Sequence, residues 1–242
     1  MRLPALTNRN NVLVAALLLT AGLIVGGYLL GDGLRRARMA DRSVTMRGLA
    51  ERDVNADLAT WSLNFNASGT DLGEVQGKID RDQRIIQDFF RAAGFPAAAL
   101  TDGGGSINTS YDNDRQANVT TINRTLDFRT NDVMRAQRAY SRQFDLIRSG
   151  VQLDGSGMNY RFTRLNQIKP EMIGASIQDA RRGAERFAQD SGASVGAIRS
   201  ATQGYFSIGA RDGDADTDGG GGGTSTPLQK VRVVTTIDFY LG

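Results

Sequence analysis

The most constraining feature of the sequence is an uncharged apolar run near its N-terminus. Between Val12 and Leu30 the chain has 19 residues without a charge, VLVAALLLTAGLIVGGYLL. As a helix rising about 1.5 Å per residue, this run is roughly 28 Å long, close to the hydrocarbon thickness of a bilayer. It exceeds the apolar core of a usual signal peptide, which has about 7–15 residues. We therefore predict a transmembrane anchor at 12–30, preceded by a short tail at 1–11.

Two other interpretations of the apolar run stay open. Gly31-x-Gly33 offers a weak small-x-small cleavage site, so the segment can also be a signal that is removed on export. A buried helix of a soluble protein is the second alternative. The residues at 31–42 are polar and rich in Arg, and we predict a juxtamembrane linker there.

The charges beside the run give only a weak signal for orientation. Two arginines precede it and four follow it, which by the positive-inside rule leans slightly towards a cytoplasmic C-terminal body. The preceding tail is very short, so this count does not settle the orientation.

Glycines recur within the apolar run at a spacing of four. Gly22 and Gly26 form one G-x-x-x-G pattern, and Gly27 and Gly31 form another. Glycines spaced in this way leave a groove in which a second membrane helix can approach closely. We predict helix packing at these four glycines, although glycine is also simply common in membrane helices.

Composition removes most common enzyme chemistries. The chain of 242 residues has no Cys and no His, which excludes disulfides, thiolate nucleophiles, zinc-finger ligands and a Ser–His–Asp triad. Of 29 basic and 26 acidic residues, six arginines and two aspartates lie within 1–42, so the remaining body is close to neutral. The positive charge flanks the apolar run, which favours a membrane partner over nucleic acid. We expect no enzymatic activity and no cofactor.

The body, 43–242, alternates between strand and helix patterns. An alternating segment near Val44–Gly48 is followed by turn-like residues and by a strand whose apolar face is Ala59, Trp61, Leu63, Phe65 and Ala67. A helix follows with Thr70 or Asp71 as its N-cap and Gly94 at its end. Gly103–Gly105 is predicted as a turn before a weak strand near Ser106–Tyr111, and another strand carries Ile122, Leu126 and Phe128.

The second half of the body continues in the same way. A second helix is predicted from an Asn131 cap to Gly150, a strand near Met158, Tyr160 and Phe162, and a third helix opened by Pro170. Two strands, roughly Ala193–Ile208 and Leu228–Leu241, complete the order β-β-α-β-β-α-β-α-β-β. This order predicts an α+β fold with mostly antiparallel sheet and three helices after the transmembrane helix.

A Gly/Asp-rich loop at 210–227 holds the most suggestive chemical motif. Asp214, Asp216 and Asp218, followed by Gly219, match the first positions of an EF-hand calcium loop. The twelfth position is Ser225 in place of the bidentate Glu, and glycines follow in place of a helix. We interpret the segment as a solvated loop and keep the three aspartates as a weak metal candidate.

Other polar clusters are weaker still. Glu51, Asp53 and Asp57 are close in sequence, but turn and edge-strand solvation explains them without an acid–base pair. The basic residues at 181, 182 and 186 are interpreted as a solvated helix face, with anionic lipid or a partner as the lesser alternative.

Four segments together carry a resemblance. They are Val44–Ala59 (VTMRGLAERDVNADLA), Tyr160–Ile173 (YRFTRLNQIKPEMI), Ala180–Gly192 (ARRGAERFAQDSG) and the closing Lys230–Val233 (KVRV). In this order they resemble the SIMPL-domain family across essentially all of 43–242. The Gly-rich acidic loop has no counterpart in that pattern.

The resemblance implies a bacterial envelope protein, typically periplasmic or carrying an N-terminal signal or anchor. It implies kinship with periplasmic immunogenic and stress-associated proteins, some of which assemble into ring-like oligomers, and it carries over no catalytic residue. It also favours a body outside the cytoplasm, against the weak charge count. On this basis we expect a single-pass inner-membrane protein with a self-associating periplasmic domain, or a periplasmic form after signal cleavage.

Two further functional classes are weighed beside this scaffold. One is a binding module for a lipid or small apolar ligand, in a groove lined by aromatics such as Trp61, Phe89 and Phe90. The other, less favoured, is a hydrolase with a carboxylate-bound metal. Protein partners other than further copies of the chain cannot be inferred from the sequence.

Overall fold

The computed structural model describes residues 9–40, 42–155, 157–212 and 224–242. The predicted acidic motif, Asp214, Asp216 and Asp218, lies outside these residues, as does most of the predicted tail at 1–11. The elements in the described part of the chain are α1 (Arg9–Ala40), β1 (Ser43–Asn55), β2 (Leu58–Gly69), α2 (Leu72–Ala92), a 3-10 turn (Ala97–Ala99), β3 (Leu100–Asp112), β4 (Ala117–Thr130), α3 (Val133–Tyr140), α4 (Phe144–Arg148), β5 (Leu153–Asp154), β6 (Met158–Arg161), α5 (Leu165–Ser191), β7 (Val195–Gln203), β8 (Ser207–Ala210) and β9 (Leu228–Leu241).

The strands form two sheets. In one, the order is β1-β9-β7, with β8 also paired to β9, and in the other it is β3-β4-β2-β5, with β6 also paired to β2. The pairs β2–β4, β2–β5, β2–β6, β3–β4, β7–β9 and β8–β9 are antiparallel. The predicted α+β class with antiparallel sheet is therefore confirmed.

The chain divides into two compact units. The first unit contains Met1–Leu49, Ser176–Gly204 and Val234–Gly242, and the second contains Ala50–Ala175 and Tyr205–Val233. The boundary falls within β1, α5 and β9, so each of these elements contributes residues to both units.

Strand β2 organises the core of the second unit. The side chains on its predicted apolar face, from Ala59 to Ala67, are all buried, and Trp61 is only 1% exposed. Against this face α2 packs the buried Val75, Ile79, Ile86 and Phe90, at the three- and four-residue spacing of a helix stripe. Asp71 is the N-cap, because its Oδ1 accepts a hydrogen bond from the Glu74 amide at 2.9 Å, and Gly94 follows the helix with φ +84°.

The first unit has a smaller core. Ala180 and Ala184 of α5 pack with Ile237 and Phe239 of β9, and Met46 of β1 lies against this cluster. A buried hydrogen bond of 2.7 Å joins the Ser176 and Thr235 hydroxyls. The fold begins directly after α1, since the Leu241 amide donates to the Arg42 carbonyl at 2.9 Å.

Several predicted boundaries in the first half of the body are wrong. The residues 103–105 are not a turn but part of β3, where a bulge between Asp102 and Gly104 and the left-handed φ of Gly104 (+91°) let the strand continue. Strand β1 runs through the residues predicted as a turn, as far as Asn55. Helix α1 runs to Ala40 and so includes most of the predicted linker.

The later helices also differ from prediction. The predicted second helix is two helices, α3 with Asp132 as its N-cap and the five-residue α4. In the single predicted helix, Phe144 and Ile147 would share the apolar face with Val133. The break changes the helical phase, so Phe144 and Ile147 are exposed and Leu146 is buried. This raises the number of body helices from three to four.

Helix α5 starts at Leu165, ahead of Pro170, which lies inside the helix. Leu165 and Ile168 pack against the buried Phe162 and Met172, and this apolar contact supports the additional turn. The single strand expected at Ala193–Ile208 is divided into β7 and β8. The division follows Gln203, where the Gly204 amide donates to the Val234 carbonyl at 2.8 Å.

Gly48 provides a test of the first unit's packing. A Cβ at this position would lie 1.9 Å from the Ser176 carbonyl oxygen and 2.5 Å from the Ala180 nitrogen. Because backbone atoms cannot move aside cheaply, we expect Gly48→Ala to lower the free energy of unfolding by about 3 kcal/mol. Denaturant unfolding of the full chain in detergent measures this loss.

The matched control is Gly174→Ala in α5, where a Cβ would meet nothing within 4 Å. Alanine is the better helix former, so this variant should gain about 0.5–1 kcal/mol. Equal effects of the two substitutions would contradict the assigned close approach of β1 and α5.

Candidate functional site

The first candidate surface is formed by the two glycine pairs of α1. The helix includes one stretch, Leu13–Gly33, that is long and apolar enough to cross a membrane, and none of it is buried within the chain. The pair Gly22/Gly26 and the pair Gly27/Gly31 lie on different sides of the helix, and both sides are open, because a Cβ added at any of the four would meet nothing within 4 Å. Gly27, Tyr28, Gly31 and Asp32 line a shallow depression of about 260 Å³. The depression is a concave surface of the kind a second helix can enter.

Of the three aromatic residues predicted to line a ligand groove, Phe90 borders the cavity described below, whereas Trp61 and Phe89 are not among the residues that line it. Trp61 and Phe90 are each about 1% exposed and pack edge to face, with ring centroids 5.5 Å apart. Phe89 lies edge-on to Phe90 at 5.3 Å and is partly buried. These rings pack in or against the core of the second unit. Their edge-to-face contacts occupy ring surfaces that a ligand would otherwise contact.

A cavity does exist next to this core, between α2 and the start of β3. It has a volume of about 270 Å³, and its lining includes the Gln83 and Gln87 side chains of α2, Phe95, and Leu100 and Asp102 of β3. The two glutamines lie one helical turn apart, so both amides face the same cavity. Sequence reasoning missed this site, since glutamines at such positions resemble an ordinary solvated helix face.

The acidic residues of the opening motif do not form a catalytic pair. The Glu51 carboxylate lies 3.8 Å from Lys230 Nζ and 3.7 Å from Arg232 Nε, both on β9. Asp57 has separate partners at the start of α5. In the part of the chain that the structure describes, no group of three or more acidic residues is placed to hold a metal ion.

Asp57 fixes the beginning of α5. Its Oδ1 accepts a hydrogen bond from the Thr163 amide and its Oδ2 one from Arg164 Nε, both at 2.8 Å. Partial burial favours the neutral carboxyl, but these hydrogen bonds and the Arg164 charge outweigh burial and lower the pKa of Asp57. A carboxylate just ahead of Leu165 also interacts favourably with the positive end of the helix dipole.

The arginine cluster on α5 is engaged within the first unit. Arg181 lies over the ring of Phe239 at 5.4 Å, and Arg182 Nη2 donates to Asp179 at 3.0 Å. Asp179 in turn accepts the Leu49 amide at 3.0 Å, which ties β1 to the helix. Arg181, Arg182 and Arg186 are all exposed, as expected of a solvated helix face, and the first two also contact other residues of the unit.

Strand β3 is the second exposed surface. It occupies one end of its sheet, and every residue between its two termini is exposed. Ile107 and Tyr111 are 66% and 61% exposed, although both are large and apolar. Sequence patterning indicated only a weak strand here, because glycines and short polar residues dominate it.

The comparison with known families gives a match over most of the chain. Residues 44–239 match the SIMPL family, described as a protein of unknown function (DUF541). This range contains the four segments on which the resemblance rests, and the chain belongs to the SIMPL family. No curated protein matches the sequence.

The Asp57 contacts predict a measurable loss of stability. Because removing one partner leaves the Thr163 amide and Arg164 without their acceptor, we expect Asp57→Ala to cost about 1–3 kcal/mol. The wild-type contribution should persist above the ordinary carboxyl pKa and fall away as the pH drops through the lowered pKa of Asp57. Denaturant unfolding at neutral and acidic pH measures both effects.

The control is Asp88→Ala, which removes an exposed ion pair to Arg91 within α2. An exposed pair of this kind contributes about 0–1 kcal/mol, so this variant should stay close to wild type. Equal losses in the two variants would contradict the assigned role of Asp57.

Proposed function

We propose that the chain is a non-enzymatic scaffold of the bacterial cell envelope. Helix α1 holds it in the inner membrane, and its SIMPL domain lies in the periplasm and self-associates into an oligomer, with a link to envelope or oxidative stress. The observation that carries the proposal is α1, whose apolar segment is wholly unburied within its own chain.

The exposed apolar surface of α1 supports its proposed role as a membrane anchor. The segment Leu13–Gly33 has 21 residues, which as a helix extend about 31 Å and match the bilayer core. The leucines and isoleucine along it are exposed over more than half of their surface. Contact of this much apolar surface with water is strongly unfavourable. A lipid bilayer covers such a helix on all sides, whereas a signal that is removed leaves only the body behind.

Membership in the SIMPL family supports the periplasmic side, because such domains are typically extracytoplasmic. Four arginines follow the apolar segment and two precede it, an excess that leans towards a cytoplasmic body but is too small to outweigh the family membership.

Two open surfaces support self-association. One is α1 with its two open glycine pairs, and the other is the long exposed edge strand β3. Edges of this kind pair readily with other strands, and proteins usually protect them. The absence of Cys and His and the structural engagement of Glu51 and Asp57 support a role without catalysis.

A specific observation also favours a second function, a binding module for a small ligand. The cavity of about 270 Å³ between α2 and β3 is lined by both polar and apolar side chains. The polar ones include Gln83, Arg91 and Asp102, and the apolar ones include Phe90 and Phe95, so the cavity can both orient and bury a small polar ligand. A ligand-dependent rise in melting temperature would distinguish this function from a pure scaffold.

The scaffold predicts the molar mass in solution. We compare the full chain in detergent with a truncated chain that begins at Asp41, using light scattering. Because the described core residues all follow α1, the truncated chain should fold, and we expect both forms to exceed the mass of one chain. Monomers in both cases would overturn the scaffold.

The same experiment separates the contribution of α1. If only the full chain associates, α1 is the assembling element, and Gly26→Leu should then reduce association by filling the open side at Gly22 and Gly26. Val14→Leu is the matched control, because Val14 is exposed on a side of α1 that carries neither glycine pair.

A further inference from the structure

The unpaired edge of β3 differs from the other long strand edges of the chain. Between Gly103 and Tyr111 it has no charged residue and no proline, whereas β1 carries Arg47 and Arg52 and β7 carries Arg199. Charges, prolines and bulges are the usual protection against pairing with a further strand. In β3 the bulge lies near its start, at Asp102/Gly104, so the stretch from Gly105 to Asp112 is regular and open.

The exposed side chains of this stretch alternate in a defined way. Ile107, Thr109 and Tyr111 lie on one face, opposite Ile122, Thr120 and Asn118 of β4. The Thr109 and Thr120 hydroxyls are hydrogen-bonded at 3.0 Å, which fixes that face. Ile107 and Tyr111 stand two positions to either side of Thr109, so the pattern is nearly symmetric about that residue.

We propose that β3 of one copy pairs antiparallel with β3 of a second copy, with Thr109 on the two-fold axis. Ile107 then lies opposite Tyr111 of the second copy, and Tyr111 lies opposite its Ile107. The inference deepens the proposed self-association and rests on it, because it names the surface by which the body associates. The contact is isologous, since the same strand serves both copies.

The side chains favour this register over its neighbours. A directly opposed aromatic and β-branched pair contributes about 0.2–1 kcal/mol, and the two-fold axis supplies two such pairs. Asp112 faces Ser106 of the second copy, so no two charges of like sign are opposed. Centring the pair on Ile107 would instead oppose Asp102 and Asp112, which is destabilising.

Backbone pairing supplies the rest of the contact. The outer N–H and C=O groups of β3 are exposed to water in one chain and become paired in the assembly. The β3-β4-β2-β5 sheet of each copy then continues into that of the other, and two exposed edges are removed together.

A single-cysteine experiment on the full chain in detergent tests this register. The wild-type chain has no Cys, so each variant carries one thiol. In Thr109→Cys the two thiols face each other across the axis, with Cα atoms about 4.5–5.5 Å apart, which a disulfide can bridge. On mild oxidation we expect the major product to shift from the mass of one chain to that of two.

Ser110→Cys is the matched control, one residue along the same edge. In the proposed register the two Cα atoms at this position are diagonal neighbours, about 7–8 Å apart, beyond the reach of a disulfide. The monomer should therefore remain its major product. Cross-linking of Ser110→Cys that equals or exceeds that of Thr109→Cys would overturn the proposed register.

A charge at the axis provides an independent readout. Thr109→Lys places two ammonium groups opposite each other, and we expect it to lower the mass of the assembly measured by light scattering. Thr202→Lys, at an exposed position of β7, should leave that mass unchanged.

The outcomes separate the two proposals. A wild-type chain that is monomeric in detergent and after truncation overturns the scaffold and the strand pairing together. A wild-type oligomer that is insensitive to Thr109→Lys, and in which Thr109→Cys forms no more covalent dimer than Ser110→Cys, overturns the strand pairing alone.

Discussion

The burial of apolar surface is the constraint on which the rest of the molecule depends, and α1 does not satisfy it within its own chain. Every large apolar side chain along Leu13–Gly33 is exposed, while the cores of both units are built entirely from residues after Arg42. The helix must therefore obtain its burial from a bilayer or from other helices. Only Asp41 separates α1 from Arg42, whose carbonyl already takes part in the fold of the first unit.

Residues within and beside the family motifs have identifiable structural roles. Gly48 lets β1 approach the backbone of α5, Asp57 holds the residues just ahead of that helix, and the buried Gln229 donates to the Tyr160 carbonyl at 2.8 Å. Each of these residues satisfies a backbone group or removes a steric conflict. Such residues specify a fold, so structural requirements alone account for these parts of the motifs.

The features of the fold that were predicted correctly are those whose sequence pattern extends over only a few residues. The alternation along β2 and the caps at Asp71 and Gly94 act over a few residues, and the structure confirms them. The break between α3 and α4 could not be predicted, because the apolar spacing through 133–147 also fits one uninterrupted helix. The inclusion of Gly103–Gly105 in β3 was hidden because glycine is common in turns and bulges alike.

The candidate surfaces, too, could be predicted only where they depend on residues close together in the sequence. The glycine spacing of α1 is visible in the sequence because a helix brings i and i+4 together. The edge position of β3 and the cavity beside Gln83 depend on which strand pairs with which, and the local sequence does not encode that choice. The sequence therefore predicts only a weak strand near Ser106–Tyr111, and its position at an edge follows from the sheet order.

Attachment of α1 to a membrane would affect how strongly the β3 edges of neighbouring copies associate. The pairing of two β3 edges is a modest contact by itself, because few side chains are buried for the freedom that is lost. The proposed anchoring through α1 would confine the bodies to a thin layer and raise their effective concentration, which would increase the associated fraction above that of the truncated chain in solution. A helix contact to one neighbour and a β3 contact to another would also link more than two copies. Membrane attachment would then contribute to assembly as well as to localisation.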